Sequence, residues 1–348
     1  MTIELIHPDH SGSLTLDYPD VYFTPGYGRA AASTESADWR LAYAPGRMLV
    51  PYLVRPVTPE HDDALSPYGY SGVHLFPGCR PAELARSWSA LLDRWREQGL
   101  VSIFLRFSPL DPDSVAAVRA AGLVDMTRRA DTVTVPVDRS REEIWDGMAG
   151  RSRTAVRKAR RVGLEAAIRP AGTEDLAAGS PFRRLYELTM RRVGSSPGYL
   201  FPDRYYRQLL GGLGKSLLIT EVRDPGGSVV AAALVLRHAD RVHYHLAGSE
   251  PAGARDGANN LLLWTVLSWA ADAGHRHVHL GGGVRPDDGL FQFKCAFGGR
   301  RTEFWTGALV LDAARYDALV ARRAAALHRP VAELLTSGFF PAYRYEVR

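Results

Sequence analysis

Hydrophobic residues recur along this chain at strand and helix spacings in turn, and the order of the predicted elements divides the chain into two similar halves. Alternating or continuously apolar runs predict strands, and apolar residues three and four positions apart predict helices. In the first half, Leu84, Trp88, Leu91, Leu92 and Trp95 share one face of a helix that ends at Gly99. The predicted order is strands at 39–43 and 48–55, a helix at 81–98, a strand at 101–107, a helix at 113–121 and a strand at 132–137. Pro136 places the last of these at a sheet edge or makes it a strand end.

The second half opens with a predicted helix at 141–162. It continues with a strand at 164–169, helices at 182–193 and 204–210, strands at 216–223, 229–237 and 241–247, a helix at 260–273, strands at 276–280 and 302–311, and a closing helix at 313–327. Turn signals at 224–227 and 238–240 join the middle strands as hairpins. The helix at 260–273 is apolar nearly all round, so we expect it to be buried. The order of three meandering strands, a buried helix, and a strand followed by glycines resembles the core of an acyltransferase fold.

The elements and the length together predict an α/β protein with mixed sheets and two tandem domains. A chain of 348 residues is long for one hydrophobic core and comfortable for two domains. We expect residues 1–140 plus 318–348 to form the first domain and 141–317 to form the second, catalytic one. No sustained heptad repeat occurs, so we expect no coiled-coil arm.

Composition describes a globular protein and narrows its location. The chain is 46% hydrophobic and 23% charged, which excludes a disordered class. The longest apolar run, 261–273, is interrupted by polar residues, so no run spans a bilayer. Residues 1–10 lack the basic start and apolar core of a signal peptide, and the expected location is the cytoplasm. Cys79 and Cys295 provide neither a disulfide framework nor a metal spacing. The sequence predicts no exposed apolar stripe that would bind a partner, so we expect a monomer.

Basic residues concentrate in one region of a moderately basic chain with a net charge of +5. The densest run contains Arg139, Arg141, Arg151, Arg153, Arg157, Lys158, Arg160 and Arg161. Such a run suits phosphates of a nucleic acid or a nucleotide, although charge runs are commonly solvated helix faces. The candidate phosphate-binding or tRNA-binding residues are Arg151, Arg153, Arg157, Lys158 and Arg161.

One lysine lies among phenylalanines after a glycine-rich turn. Residues 280–298 contain three consecutive glycines and then Lys294, with Phe291, Phe293 and Phe297 around it. Because burying an ammonium is costly without an anionic or polar partner, the stretch indicates one wall of a site that handles negative charge. The alternative is a lysine that extends from a partly buried helix to solvent. Lys294 is the candidate catalytic residue.

Other side chains are candidates for substrate contact, and each has a structural alternative. For Tyr68 and Tyr70 the functional hypothesis is a groove that holds the acceptor, and the structural one is packing in a turn. For Tyr199 and Tyr206 the functional hypothesis is stacking on a base of tRNA, and packing in the core is the favoured alternative. Asn259 and Asn260 cap a helix by default or contact a substrate carbonyl. The full candidate set is Tyr68, Tyr70, Arg192, Tyr199, Tyr206, Tyr244, His245, Asn259, Asn260, Gly282, Phe291 and Phe293.

Histidines at 275, 277 and 279 alternate along one predicted strand and therefore point to one face. That spacing is compatible with zinc, but no cysteine or fixed carboxylate completes a site, so we expect no metal. Cys295 has no base at a known spacing, and we interpret it as a packed thiol rather than a nucleophile.

Several motifs resemble the Fem family of aminoacyl-tRNA-dependent transferases, which contain two domains of the Gcn5-related acetyltransferase fold. The stretch 148–163 resembles the family's arginine and Arg-Lys-Ala segment at the start of the second domain. Residues 244–249 and 257–264 resemble its last core strand and following helix, and 280–298 resembles its closing motif. Residues 68–72 resemble the tyrosine-glycine stretch of the first domain. The specific matches lie mostly between residues 145 and 300.

The resemblance implies that an amine of an acceptor attacks the amino acid ester of aminoacyl-tRNA, which gives an amide and free tRNA without a metal or redox cofactor. It places Lys294 near the tRNA end, where a desolvated cation favours the developing anion. The acceptor would be an amine-bearing small molecule or peptide, such as a cell-wall precursor or a natural product. No base for the amine proton is obvious; Asp287, Asp288 or the substrate itself are the options.

Two alternatives stay open. An ordinary acetyltransferase of this fold holds the pyrophosphate of coenzyme A on a glycine-rich turn before the core helix. The corresponding residues 254–260 contain one glycine at the wrong spacing, which argues against coenzyme A. A non-catalytic RNA-binding protein would also suit the basic run, but no RNA-binding motif occurs.

Overall fold

The computed structural model describes residues 3–7 and 16–346, so the expectation about a signal peptide lies largely outside the described residues. The described strands are β1 (Glu4–Ile6), β2 (Asp38–Ala44), β3 (Met48–Thr58), β4 (His61–Leu65), β5 (His74–Leu75), β6 (Leu100–Arg106), β7 (Asp125–Arg128), β8 (Thr132–Pro136), β9 (Glu165–Pro170), β10 (Leu217–Arg223), β11 (Val229–His238), β12 (Arg241–Ser249), β13 (His277–Gly282), β14 (Arg300–Thr302) and β15 (Trp305–Val310).

The described helices are α1 (Pro25–Glu35), α2 (Pro81–Glu97), α3 (Pro112–Ala120), α4 (Arg141–Gly147), α5 (Gly150–Arg161), α6 (Thr173–Leu176), α7 (Pro181–Arg192), α8 (Asp203–Leu213), α9 (Pro251–Arg255), α10 (Ala258–Asp272), α11 (Gly289–Cys295), α12 (Ala313–Leu327) and α13 (Val331–Thr336). The predicted helices have counterparts in the structure, whereas α1, α6, α9, α11 and α13, like strands β1, β4, β5, β7 and β14, were not predicted. Short 3-10 turns include Val21–Phe23 and Pro197–Tyr199. Among the described residues no helix is both long and apolar enough to cross a membrane.

The first of two compact units comprises Met1–Tyr18, Glu35–Arg129 and Phe304–Arg348. Its sheet has the order β1-β2-β3-β4-β6-β15-β7, with β5 paired to β3. The pair β4 and β6 is parallel, and α2 lies between these strands in sequence. Leu84, Trp88, Leu91 and Trp95 of α2 are buried in the core of this unit, as their helical spacing predicted.

The second unit comprises Pro19–Thr34 and Ala130–Glu303. Its sheet has the order β14-β8-β13-β12-β11-β10-β9. Here β12 and β13 are the parallel pair, and α10 provides the crossover between them. The buried face of α10 packs with β11, β12 and β13 in one core, as the apolar sequence of this helix predicted. The α/β class with mixed sheets and no coiled-coil arm is therefore confirmed.

The boundaries of the units differ from the predicted 1–140 plus 318–348 and 141–317. Strand β8 belongs to the second unit because it pairs with β13 and β14. Strand β15 belongs to the first because it pairs with β6 and β7. The segment Pro19–Thr34 also belongs to the second unit, although it precedes most of the first in sequence. Strand pairing across long sequence separations, which local periodicity does not encode, sets these boundaries.

The helix predicted at 141–162 is two helices, and that prediction was wrong at its centre. Helix α4 ends at Gly147, Met148 adopts an extended backbone, and α5 begins at Gly150. The amide of Ala149 donates to the carbonyl of Ala296 rather than to the preceding turn. Two glycines close to each other provide the flexibility, and a tertiary hydrogen bond fixes the break.

Gly257 is the residue on which the close packing of α5 against α10 depends. It begins α10 with a φ of 88°, and a Cβ there would lie 2.5 Å from the carbonyl oxygen of Ala155 on α5. Gly274, just after α10, also has a positive φ of 76°, but a Cβ there would meet nothing within 4 Å. A substitution at Gly274 would therefore introduce backbone strain alone, whereas one at Gly257 would add steric overlap to that strain.

We expect Gly257→Ala to lower the free energy of unfolding by about 3 kcal/mol, because positive-φ strain and overpacking add. Gly274→Ala, with strain alone, should cost about 1 kcal/mol. Urea denaturation followed by tryptophan fluorescence measures both. Equal losses in the two variants would show that contact with Ala155 does not constrain this junction.

Candidate functional site

Strands β12 and β13 pair over a short distance and then separate. The parallel ladder joins Arg241–His243 to His277–His279, although β12 extends to Ser249 and β13 to Gly282. Beyond His243 and His279, these two strands form no further pairs with each other. Because the carboxyl ends of parallel strands and the start of their crossover helix lie at one sheet edge, the opening faces the end where α10 begins.

The last pair before the opening consists of two buried histidines. His243 and His279 are each 1% exposed, and their ring centroids are 5.5 Å apart in an edge-to-face arrangement. Burial and the nearby charge of His243 hold the pKa of His279 well below its ordinary value. His279 is therefore neutral at physiological pH.

Asp20, which is fully buried, pairs with His243. The Nε2 atom of His243 donates to Asp20, with 2.8 Å to Oδ1, and Arg241 Nη1 lies 3.3 Å from Oδ2. Burial alone would raise the pKa of Asp20. The electrostatic interactions and hydrogen bonds with His243 and Arg241 outweigh burial and lower the pKa of Asp20 to about 2. The carboxylate is therefore ionised at any physiological pH, and it holds His243 in one orientation.

His245 is the extra residue of a β-bulge in β12. Leu246 pairs with Leu234 and Tyr244 with Val235, so His245 has no partner residue in the ladder with β11. Its Nε2 lies 2.7 Å from the hydroxyl of Tyr205 on α8. Burial, followed by repulsion from His243, lowers the pKa of His245 to about 3, so this candidate residue is a neutral hydrogen-bonding group.

Lys294 lies at the rim of the same opening. It is 8% exposed on α11, and its Nζ donates to the carbonyl oxygen of Gly282, at the end of β13, at 2.6 Å. Burial lowers the pKa of Lys294 to about 8, and Asp288 only partly opposes this shift. Among the described residues no carboxylate forms an ion pair with it. The candidate residues Lys294 and Gly282 are thus in direct contact, and Phe291 is buried on the same helix.

The two aspartates considered as bases have other partners. Asp288 caps α11 and accepts hydrogen bonds from the amides of Val284, Arg285 and Phe291. Burial would raise the pKa of Asp288, but these amides lower it. Asp287 forms an ion pair with Arg301 at 2.7 Å. A carboxylate held by three amides is a weak base, so Asp288 organises the loop rather than accepting a proton from substrate.

The basic helix α5 buries Ser152, Val156 and Ala159 and exposes most of its charges. Some of the candidate residues have intramolecular partners. Arg151 donates to the carbonyl of Gln292, and Arg153 lies 3.4 Å from the carboxylate of Asp146. The guanidinium of Arg157 lies over the ring of Trp145. Lys158 lies 3.1 Å from the carboxylate of Asp256 and donates to the carbonyl of Arg255. Arg161 is exposed at the end of the helix. Lys158 therefore ties α5 to the turn before α10.

The remaining candidates of the second unit divide between core and surface. Tyr206 is 1% exposed, and the guanidinium of Arg183 lies 4.1 Å from its ring centroid, so it is a core residue. Tyr244 packs on the core side of β12, and burial raises its pKa. Tyr199 is exposed, and Arg192 donates to the carbonyl of Ser249 at the end of β12.

Three further candidates have simple positions. Asn259 and Asn260 do not cap α10, contrary to their default interpretation, because Gly257 occupies the N-cap position; both are half-buried in the first turn. Phe293 packs against Phe297 with ring centroids 5.3 Å apart.

Tyr68 and Tyr70 belong to the first unit. The guanidinium of Arg106 lies 5.9 Å from the ring centroid of Tyr68, and Tyr70 packs edge-on against Phe304 at 5.2 Å. Arg106 also donates to the carbonyl of Gly69. Both tyrosines thus hold a turn of the first unit.

A separate groove of about 750 Å³ lies beside α10, and three of its walls are Trp145, Trp264 and Trp269. None of the histidines or Lys294 lines it. In the part of the chain that the structure describes, no group of three histidine, cysteine or acidic side chains is arranged to hold a metal ion.

Sequence reasoning missed the buried contact between Asp20 and His243. The segment from Pro19 to Thr34 carried no periodic signal that assigned it to the second unit. A signal for the pairing of His243 with His279 was present in the sequence, because each histidine lies on a predicted strand whose alternate positions face one side. What was lacking was the register between the two strands.

The pKa of Lys294 is directly measurable because the chain contains only three lysines, Lys158, Lys215 and Lys294. We expect one of three ¹³Cε signals of labelled lysine to titrate with a midpoint near pH 8 and to be absent in Lys294→Met. Since the ordinary pKa of lysine is higher, the folded state binds this proton more weakly than the unfolded chain. The charge therefore costs stability below pH 8, and the cost is relieved as the pH rises from there towards the unfolded pKa. A signal that does not move until well above this range would show that Lys294 is solvated.

Comparison with known proteins identifies similar folds. Residues 149–294 match the family model described as an acetyltransferase (GNAT) domain. The crystal structure of FemX is similar to this chain with a TM-score of 0.66 and 14% identity over 91% of this chain and 99% of that one. The C-terminal domain of a putative lysylphosphatidylglycerol synthetase from Agrobacterium fabrum gives a TM-score of 0.52 and 13% identity over 95% and 97% of the two chains.

A conserved protein of unknown function from Bacteroides thetaiotaomicron gives a TM-score of 0.60 and 11% identity over 88% of this chain and 100% of that one. No curated protein matches the sequence. At these identities the likeness concerns the fold. With a mixed sheet and a helical crossover in each unit, this chain has a Fem-like fold, and the greater part of its second unit matches a GNAT domain.

Proposed function

We propose that the protein is an aminoacyltransferase that moves an amino acid from aminoacyl-tRNA to an amine of a small molecule or peptide. The observation that carries the proposal is the buried ammonium of Lys294 at the rim of the opening between β12 and β13. The product is an amide, and the leaving group is the ribose oxygen of tRNA. No metal or redox cofactor takes part in the proposed reaction.

The environment of Lys294 suits this chemistry. A cation removed from water interacts strongly with charge that develops nearby, and it needs no reorganisation at the moment of reaction. Its hydrogen-bond partner, the carbonyl of Gly282, is neutral, and the charge of Asp288 compensates the ammonium only in part. The departing ribose oxygen or the carbonyl oxygen of the tetrahedral intermediate would supply the missing negative charge. A pKa near 8 also makes Lys294 a suitable proton donor to the leaving oxygen.

The turn before α10 favours tRNA over coenzyme A as the donor. Coenzyme A is held in this fold by free backbone amides ahead of the core helix. Here the amides of Ala254, Asp256 and Gly257 donate within the turn, to carbonyls of residues 250–254. Helix α9 and the ion pair between Lys158 and Asp256 fill the same stretch. The exposed arginines of α5 offer charge to a polyphosphate backbone instead.

Transfer from an acyl-coenzyme A is the second candidate function. The match of residues 149–294 to an acetyltransferase domain model favours it. Purified protein should be tested for retention of tRNA charged with mixed radioactive amino acids and, separately, for binding of acetyl-coenzyme A. Retention of one aminoacyl-tRNA without coenzyme A binding supports the proposal and identifies the amino acid. Tight coenzyme A binding without tRNA retention replaces it by the second candidate.

We expect Lys294→Ala to lower the rate of transfer at least tenfold, which corresponds to about 1.4 kcal/mol of transition-state stabilisation or more. The rate of the wild-type protein should fall as the pH rises above about 8, because Lys294 then loses its proton. Single-turnover transfer of the labelled amino acid measures both effects. Lys215→Ala is the control for loss of a lysine elsewhere in the second unit. An unchanged rate for Lys294→Ala would exclude the assigned role.

Replacing Arg157 and Lys158 together by alanine should weaken tRNA binding and reduce the slope of log K against log salt by about 1.5. Filter binding over a range of salt concentrations measures the slope. Arg94 and Arg96 on α2 are a matched control, since both are exposed on a helix and each forms an ion pair within it. An equal change in the control would show that net charge, rather than α5, attracts the tRNA.

A further inference from the structure

We infer that His243 is the general base that accepts the proton of the attacking amine, and that Asp20 positions it. The inference deepens the proposed function, on which it rests, by assigning the acid-base group that the reaction requires. The segment Pro19–Thr34 would then belong to the second unit for a functional reason, because it delivers Asp20 to a strand more than two hundred residues away.

The position of His243 is the first argument. It belongs to the last paired register before β12 and β13 separate, so it lies at the closed end of the opening. Lys294 contacts Gly282, three residues beyond His279 on β13, at the rim of the same opening. The inference places the ester carbonyl beside Lys294 and the amine between the ends of the two strands, on the side of His243.

The hydrogen bonding of His243 is the second argument. Its Nε2–H donates to Asp20, so in the neutral ring Nδ1 carries the lone pair. Nδ1 is buried and has no hydrogen-bond partner among the described residues, although the ring is 1% exposed. A buried acceptor without a partner carries a desolvation cost. A substrate N–H would satisfy it.

The charged groups nearest His243 are Asp20, which accepts a hydrogen bond from its Nε2, and Arg241, which shares that carboxylate. His279 on β13 and His245 on β12 both have lowered pKa values and stay neutral. Beyond His279, Lys294 contributes a positive charge that lowers the pKa of His279 further.

An aromatic ring completes the surroundings of His243. Tyr22, in the same segment as Asp20, packs edge-on against the imidazole with ring centroids 4.7 Å apart. This contact and the Asp20 hydrogen bond fix the ring from one side. A fixed imidazole loses little entropy when it meets the amine.

The proposed step balances in atoms and protons. The amine nitrogen forms a bond to the ester carbonyl carbon, and the bond from that carbon to the ribose oxygen breaks. His243 Nδ1 takes one proton from the amine, and Lys294 gives one to the ribose oxygen. Return of the proton from His243 to Lys294 restores both groups. No oxidant, reductant or further co-reactant is needed.

The test compares His243→Gln and Asp20→Asn with the wild type, using bulk aminoacyl-tRNA as donor and ethanolamine as a simple amine acceptor. We expect His243→Gln to lower the single-turnover rate about 100-fold, the scale of general base catalysis, with aminoacyl-tRNA affinity within twofold of wild type. We expect Asp20→Asn to lower it about tenfold and to shift the acidic limb of the pH–rate profile, with partial rescue by Asp20→Glu. The acidic limb should vanish in His243→Gln, whereas the limb near pH 8 should stay.

His275→Gln is the matched control, because His275 is also buried and lies outside the site, where its Nδ1 pairs with the carbonyl of Ala239. A wild-type rate and profile for His243→Gln would overturn the inference. So would equal losses in His243→Gln and His275→Gln together with equal drops in Tm, since the effect would then be structural.

Failure of the proposed function is a separate outcome. In that case the wild-type protein would not transfer from aminoacyl-tRNA at all, and acetyl-coenzyme A would replace it as the donor. The same variants would then test His243, because an amine that attacks a thioester must also lose a proton.

Discussion

The short parallel ladder between β12 and β13 is the constraint on which the second unit depends. Parallel strands are held by a helical crossover on one side and by their antiparallel neighbours on the other. Here β11 and β8 stay paired to β12 and β13 respectively, while β12 and β13 part from each other after three residue pairs. The bulge at His245 and the register shift near Gly281 on the flanking ladders accommodate the separation.

Burial of charge gives this opening its chemical character. Lys294 is held close to a neutral carbonyl, and its lowered pKa expresses the free energy needed to keep an ammonium out of water. Burial also disfavours the ionised form of Asp20, but the contacts with His243 and Arg241 outweigh that effect and lower its pKa. The result is a cation whose hydrogen-bond partner is a neutral carbonyl, and a carboxylate that is paired with both His243 and Arg241. Negative charge that develops between the strands is therefore attracted to the Lys294 end.

The local features of the fold followed from the sequence, and its long-range features did not. The helices at 81–98 and 313–327 were predictable because their apolar positions repeat with helical spacing and are followed by clear stops. The break at Met148 depends on a hydrogen bond from Ala149 to Ala296, and the assignment of β8 depends on its pairing with β13. The candidate site divides in the same way. Lys294 could be identified from its phenylalanines and glycines, whereas Asp20 could not, because its partner is 223 positions away.

The arrangement also explains why a second unit of this kind would recruit a segment from the beginning of the chain. His243 takes its orientation from the carboxylate of Asp20, whereas its neighbours His245 and His279 are themselves buried and uncharged. Supplying Asp20 from Pro19–Thr34 keeps the acid end and the base end of the site apart while both remain buried. Separation of an acidic and a basic group within one low-dielectric cleft is what allows a single residue pair to move protons in opposite directions.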